Sequence, residues 1–440
     1  MLQTLHCFER GTVGALLSVM MLLASDSRAS EWRQFRGAHS AGKSQDLKVP
    51  VHWSSDQNLE WRTALPGPGS SSPIVTGDKI FVTCYSGYGV GDRDPGEIEN
   101  LARHLVCVDR KTGAIRWDRK VPARMPEDPY RGFISEHGYA SNTPVTNGRE
   151  VFAFFGKTGV IAFDLTGREL WRVNVGQESS NRRWGSAASL VLHGENVIVN
   201  ASEESQSIRA LKQRTGEQVW SAEAGSLELA YGTPLSAEIG DGNDSLLIAV
   251  PNEVWGLNPI TGKLKWYAET GLPGNICPSL SISDGVVYGF GGYPTQGSFA
   301  VRVGSRGDVT SSHVLWTSRV SSYVATPVIH EDHLYWVDDR GEAVCARTSD
   351  GAVSFRERLP GLKRSGRQRA VYASVIYAAR NLYAVSRFSG VFVFAAKPEF
   401  SLIAHNRLAQ DNSQFNGTPA FADGEIYLRS DKYLYSIAVK

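Results

Sequence analysis

Four hexapeptides decide the architecture: TGAIRW at 112–117, TGRELW at 166–171, TGEQVW at 215–220 and TGKLKW at 261–266. Weaker copies extend the series. NLEW ends at Trp61, the stretch from Gly307 ends at Trp316, and DGAVSF ends at Phe355. Successive terminal aromatics lie 39 to 56 residues apart. That period, with short β-rich segments between copies, belongs to propeller blades and not to a helical solenoid. The glycine suits the positive-φ position of a hairpin loop. The aromatic at the end carries about 150–250 Å² of burial. Trp61, Trp117, Trp171, Trp220, Trp266 and Trp316 are therefore expected to lie across seams between blades.

A second marker runs in phase with the first. A small-residue start, an apolar run and a turn precede each copy, as in SSPIVTGDKIFVT (71–83), NTPVTNGREVFAF (142–154) and GTPAFADGEIYLR (417–429). The first prolines fall at 73, 144, 234, 278, 327 and 419, and Ser186–Ala188 and Ser374 occupy the two remaining slots. The count is eight. Small residues suit the innermost strand of a tapering blade, and β-branched and aromatic runs such as KIFVTC and VVYGFG suit the second. The expected fold is all-β, an eight-bladed β-propeller of four-stranded antiparallel blades. The last unit, from Asn416 to Lys440, has only three strands of its own. The orphan segment NLEWRTAL (58–65) is expected to complete it, which removes an exposed sheet edge.

Composition agrees with an ordinary globular chain: 440 residues, 42% hydrophobic, 21% charged, net charge +1, with 44 Gly and 11 Trp. Nothing in that balance provides the basic footprint of a nucleic-acid binder. The N-terminus has the pattern of an export signal. Arg10 closes a polar region, VGALLSVMMLLA (13–24) is apolar, and Ser27 and Ala29 are the small residues before a cut. Twelve apolar residues are too few for a bilayer of about 30 Å. The organisation read from sequence is a signal peptide at 1–29, an N-terminal extension at 30–57 and the propeller at 58–440. The mature chain is expected in the periplasm or cell envelope, as a monomer, with no transmembrane segment. Cys84, Cys107, Cys277 and Cys345 remain after cleavage, without a CxxC. Cys84 and Cys107 fall on neighbouring strands of one blade, where a disulfide and two buried thiols are both compatible with the sequence.

Function is sought where the repeat breaks, because loops on a rigid scaffold carry binding residues. The breaks are 86–103, 122–140, 177–185, 200–207 and 291–299. His137 lies in the second, and Arg182, Arg183 and Trp184 in the third. With Glu203 and Glu204 from the fourth they are expected to form a polar, aromatic rim near the channel mouth. The competing reading is a structural ion-pair cluster that closes the channel. GAHSAGKS (37–44) matches a phosphate-loop pattern but lacks the flanking strand and helix that the mechanism needs. HEDH (330–333) falls at a hairpin turn, where polar residues are ordinary. No catalytic residue and no metal ligand is assigned.

The TG-x-x-x-W turns resemble the quinoprotein alcohol dehydrogenase-like, or PQQ-like, repeat family. The resemblance covers roughly 59–440. One branch of that family holds pyrroloquinoline quinone and calcium on the propeller axis. The other is non-catalytic, like the periplasmic propeller lipoprotein of the outer-membrane assembly machine. WRQFRG (32–37), HGYASNTPV (137–145), WGSAAS (184–189) and YWVDDRG (335–341) resemble an exported, planctomycete-type subfamily. The alcohol-oxidising branch carries a vicinal Cys-Cys pair that this sequence lacks. The resemblance thus implies an exported non-enzymatic scaffold that binds a protein partner or other ligand, with no cofactor. The alternative is a quinone-dependent oxidoreductase acting on alcohols or sugars, with PQQ and calcium.

Overall fold

The computed structural model describes residues 31–91, 94–237, 244–363 and 369–439. The expected signal sequence and its cleavage point lie outside the described residues. Eight antiparallel sheets form the chain, each of four strands, with one two-residue parallel addition to the fourth. Seven of them run from the inside outward in sequence order. Blade 1, for example, comprises Ile74–Thr76, Lys79–Ser86, Ala102–Asp109 and Ile115–Pro122. The eighth is composite. Ala420–Ala422, Glu425–Arg429 and Tyr433–Ile437 come from the C-terminal end, and Leu59–Ala64 pairs antiparallel with the last of these. The closure expected from NLEWRTAL is therefore present, with Trp61 opposite Ser436.

The seams explain both ends of the hexapeptide. The indole N–H of Trp61 donates to the Arg110 carbonyl of blade 1 at 3.0 Å, and that of Trp117 to Leu165 of blade 2 at 3.2 Å. Trp171, Trp220 and Trp316 make the same bond to Gln213, Pro259 and Thr348. Each indole lies on the turn glycine of the following blade. A Cβ on Gly113 would stand 2.6 Å from the Trp61 ring, and one on Gly262 would stand 2.4 Å from Trp220. With φ of +74° and +71°, both positions also disfavour any L side chain. The Thr-Gly of one repeat thus receives the Trp of the repeat before it. Strand four begins two residues before the Trp, and a bulge at that point turns the indole outward.

Trp266 departs from this pattern. The segment that follows it in the ring, Gly304–Val309, has no Thr-Gly turn. Instead Gly307–Asp308 pairs in parallel with Trp266 and Tyr267. Trp266 is fully buried among Leu235, Val287 and Phe299, its indole N–H without a partner. It still fills the seam between blades 4 and 5, as packing alone.

A ring of hydroxyls ties the blades together on the axis. The N–H of Ser72 donates to Thr143 Oγ1, Thr143 to Ser189, Ser189 to Thr233, Thr233 to Ser279, Ser279 to Thr326, Thr326 to Ser374 and Ser374 to Thr418, all at 2.9–3.1 Å. These residues sit just before the innermost strands. They give the small-residue marker its physical meaning: one hydroxyl in each of blades 2 to 8, satisfying the buried amide of the blade before it. In blade 3 the slot is Ser189, directly after Ser186–Ala188. In blade 5 it is Ser279, one residue past Pro278.

Cys84 and Cys107 are free and buried. Cys84 opposes His104 and Cys107 opposes Phe81, so the two are out of register across the pair. They point to opposite faces of the blade, one into each neighbouring seam. The disulfide alternative is thereby excluded.

Candidate functional site

The up-and-down order of each blade sorts its connections onto two faces. The turns between strands one and two and between strands three and four share one face. The loops between strands two and three and the links between blades share the other, so all five breaks read from the sequence lie on that loop face.

On the turn face the N-terminal segment crosses the ring. Trp32 exchanges backbone bonds with Val75 of blade 1, and the Arg33 carbonyl accepts from Thr146 of blade 2. Gly42 and Ser44 pair with Tyr377 of blade 7, and the chain then enters the seam between blades 7 and 8, where Trp53 donates its N–H to Asn406 Oδ1. Phe35 reaches the axial channel. The guanidinium of Arg36 is fully buried, donating to Pro327 O at 2.5 Å and Ser281 Oγ at 3.3 Å. GAHSAGKS forms a single 3-10 turn at Ala38–Ser40 and an extended edge, which is not a phosphate loop. HEDH is a hairpin turn here, with His330 stacked on Tyr377 at 4.1 Å. Among the described residues no group of three or more His, Cys, Asp or Glu is placed to hold a metal ion.

On the loop face the channel opens through an aromatic mouth. The link 122–140 ends in a single helical turn, Ile134–His137. Arg387 of blade 7 anchors that turn, with its Nη1 on Glu136 Oε2 at 2.6 Å and its Nη2 on the Glu136 carbonyl at 3.0 Å. Phe133, just before the turn, meets Trp184 at a centroid distance of 4.2 Å. Trp184 stacks on Tyr231 at 5.6 Å with 26° between planes. Phe133 also reaches Tyr323, 6.3 Å away, and Arg369 lies over Tyr323 at 3.8 Å while paired with Asp339 at 2.5 Å. Below these rings lies a cavity of about 160 Å³ on the axis, walled by the hydroxyl ring.

The sequence-derived site residues divide into three groups. Arg182 and Trp184 stand together at the mouth, the guanidinium 5.8 Å from the indole ring. Arg183 is exposed beside them. His137 touches the same mouth as a clamp. Its Nε2 lies 2.9 Å from the Trp184 carbonyl and its Nδ1 lies 2.6 Å from Ser141 Oγ. Burial lowers its pKa, so the neutral ring donates through Nε2 and accepts at Nδ1. Glu203 and Glu204 are not part of the rim. Both are buried, in the turn Ser202–Ser205 beneath the Trp184 loop.

Glu203 accepts from the N–H and hydroxyl of Ser180 at 3.0 and 2.6 Å, and Glu178 N–H donates to the Glu204 carbonyl at 3.0 Å. These bonds fix the course of the loop that presents Arg182 and Trp184. The ion pairs nearby are Arg103–Glu127 and Lys157–Asp128, at 2.7 and 2.9 Å. Among the described residues no ion pair joins Arg182 or Arg183 to Glu203 or Glu204, so the cluster weighed from sequence is not formed by those residues. Glu204 Oε2 is buried with no hydrogen-bond partner, and burial together with the neighbouring Glu203 charge pushes its pKa up to about 8.

Sequence reasoning missed Phe133, Tyr231, Tyr323, Arg369 and Arg387. A signal existed for one of them. Tyr231 stands two residues before a ring hydroxyl, where Ser70, Ser141 and Ala187 stand in blades 1 to 3. It is a large residue in a slot that the taper reserves for small ones.

Fold and site together define a quinoprotein-type repeat propeller with an axial cavity and one elaborated face. A family model described as outer membrane protein assembly factor BamB matches residues 102–357, more than half of the chain, and the chain belongs to that family. No curated protein sequence matches it. Among solved structures, BamB from Moraxella catarrhalis aligns at 13% identity with a TM-score of 0.59, covering 86% of this chain and 99% of its own. A europium-containing methanol dehydrogenase aligns at 10% identity and TM-score 0.58, covering 93% and 98%. The quinohemoprotein alcohol dehydrogenase from Comamonas testosteroni aligns at 10% identity and 0.58, covering 94% and 81%. At these identities the likeness is one of fold. The structural neighbours include both a BamB propeller and alcohol-oxidising dehydrogenases, so the cavity's own chemistry has to separate the two readings.

That chemistry does not fit calcium and quinone. Calcium takes six to eight oxygens, carboxylates prominent among them. Among the described residues, the cavity is lined by Ser and Thr hydroxyls, aromatic rings and Asn416, with no Asp or Glu. The amide of Asn416 is committed on both sides, to Arg387 and to the Glu136 carbonyl. Cys277, the one cysteine on the cavity wall, has no vicinal cysteine.

Proposed function

We propose that this chain is an exported, non-enzymatic propeller that binds a protein partner through the aromatic mouth on its loop face. The observation that carries the reading is the Phe133–Trp184–Tyr231 stack with Arg182 over its outer end. Aromatic and arginine side chains on a rigid base are the residue types that dominate binding energy at interfaces. The base is rigid here because buried Glu203, the backbone of Glu204 and the neutral His137 clamp hold the Trp184 loop from beneath. Membership in the BamB-like propeller family supports a binding role in the cell envelope. The quinone-dependent oxidoreductase is the alternative, and the lack of carboxylates on the cavity wall counts against it.

The test has two arms. Tagged protein, crosslinked in the envelope fraction, should capture a reproducible partner that the Trp184→Ala, Arg182→Ala double variant loses at least tenfold. Equal capture by the double variant overturns the assignment of the mouth. Separately, incubation with pyrroloquinoline quinone and Ca²⁺ should give no stoichiometric quinone spectrum and no alcohol-driven dye reduction. Either signal would establish the oxidoreductase instead.

A further inference from the structure

We infer that the axial cavity is a site for a small monovalent inorganic anion of the halide class, held by the hydroxyl ring, with the buried guanidinium of Arg36 behind the cavity wall as the compensating charge. Three observations converge. First, the ring hydroxyls are spent as acceptors and free as donors. Each from Thr143 to Thr418 accepts a neighbour's N–H, yet among the described residues none donates to a protein group, and all are at least nine-tenths buried. A buried hydroxyl hydrogen without an acceptor is costly, and the ring lines one space with a set of them. The Tyr372 hydroxyl on the same wall is also buried without a partner.

Second, the described wall of the cavity carries no carboxylate that would repel an anion or take those hydrogens. Third, Arg36 is a fully buried cation with no acidic partner among the described residues. Its hydrogen bonds go to Pro327 O, Ser281 Oγ and the Ala41 carbonyl, and its Nε has none. Pro327 directly follows the ring residue Thr326, and Ser281 lies two residues beyond Ser279, so the guanidinium bonds the chain next to two ring residues, behind the cavity wall and not in its lining. A buried charge without a counter-charge is strongly unfavourable. An anion on the axis offsets it and receives the hydroxyl hydrogens at once, whereas water neutralises nothing. A cavity of about 160 Å³ holds such an ion with a few waters.

The inference is independent of partner binding at the mouth. Crystals of the wild-type chain grown in sodium bromide should show a bromine anomalous peak on the axis at the hydroxyl ring. Water alone there, or bromine peaks only on the outer surface, would overturn the site. In solution, replacing sodium gluconate by sodium bromide at constant ionic strength should raise the melting temperature by a few degrees and saturate. Arg36→Met should lose at least half of that rise. An equal rise in both proteins would show a general salt effect and overturn the role of Arg36. Should Arg36→Met fail to fold, Thr233→Val takes its place in the melting series, and the bromine peak decides in either case.

Discussion

The two faces of this ring are built from the same repeat and do opposite things. The turn face is short and closed. Its Thr-Gly turns are occupied by indoles, and the segment from Trp32 to Ser44 crosses it, with Phe35 reaching the axis. The loop face is long and open, and the five breaks read from the sequence all lie there. The difference teaches that the repeated hexapeptide serves the seams and the repeated hydroxyl lines the axis, while residues that occur once shape the two ends of the channel. Arg36, His137, Trp184 and Arg387 each have no counterpart in the other blades, and each stands at or against the channel.

The contrast predicts a ladder of effects. A chain lacking residues 30–65 loses both the turn-face segment and the outer strand of blade 8. It should lose its single cooperative transition in calorimetry, because blade 8 then presents an open edge and the axis opens from below. An unchanged melting curve would mean that neither the strand nor the segment holds the ring. Gly216→Val comes next. Its Cβ would stand 2.8 Å from the Trp171 ring at a φ of +74°. The expected loss is roughly 2–4 kcal/mol in urea unfolding, and a loss below about 1 kcal/mol would show that the seam yields easily.

Glu204→Gln probes the buried support of the loop face. The folded chain holds the Glu204 proton up to about pH 8, against an ordinary value of 4.5. Over that window the native state binds more protons than the unfolded state, so stability falls as pH rises and levels off above it. The glutamine variant should lack this slope. At pH 8.5 it should exceed wild type by about 1–3 kcal/mol, and parallel stability curves from pH 5 to 9 would refute the buried-proton account. Arg182→Ala should be the mildest of the set. The side chain is exposed, so its removal should change stability by less than about 0.5 kcal/mol. A larger loss would make Arg182 part of the frame and not of the binding surface.

The seams were legible in the sequence because they rest on a local signal repeated in phase. A turn glycine and an aromatic at fixed spacing say the same thing in blades 1, 2 and 3, and even Trp61, far from the rest, could be assigned by analogy. Closure by NLEWRTAL followed from counting strands. The mouth was legible only in part. Arg182 and Trp184 stood out because they interrupt the repeat. Glu203 and Glu204 looked like surface residues because two adjacent carboxylates usually face water. Nothing local shows that the turn Ser202–Ser205 carries them inward, under a loop some twenty residues earlier. Arg36 was hidden for the same reason. WRQFRG reads as a family mark, and its place behind the cavity wall depends on contacts with Ser281 and Pro327, more than two hundred residues away.

The composite blade also sets a schedule. Residues 59–64 leave the ribosome early, but their partner strand, Tyr433–Ile437, is made last. For most of synthesis the first strand has no mate, and blades 1 to 7 can form only an open arc. Pairings this distant in sequence are slow to form, and an unpaired strand is prone to stray association in the meantime. The residues that finish the ring are therefore also the ones that must wait longest, and an interruption anywhere before residue 437 leaves an arc and not a smaller ring.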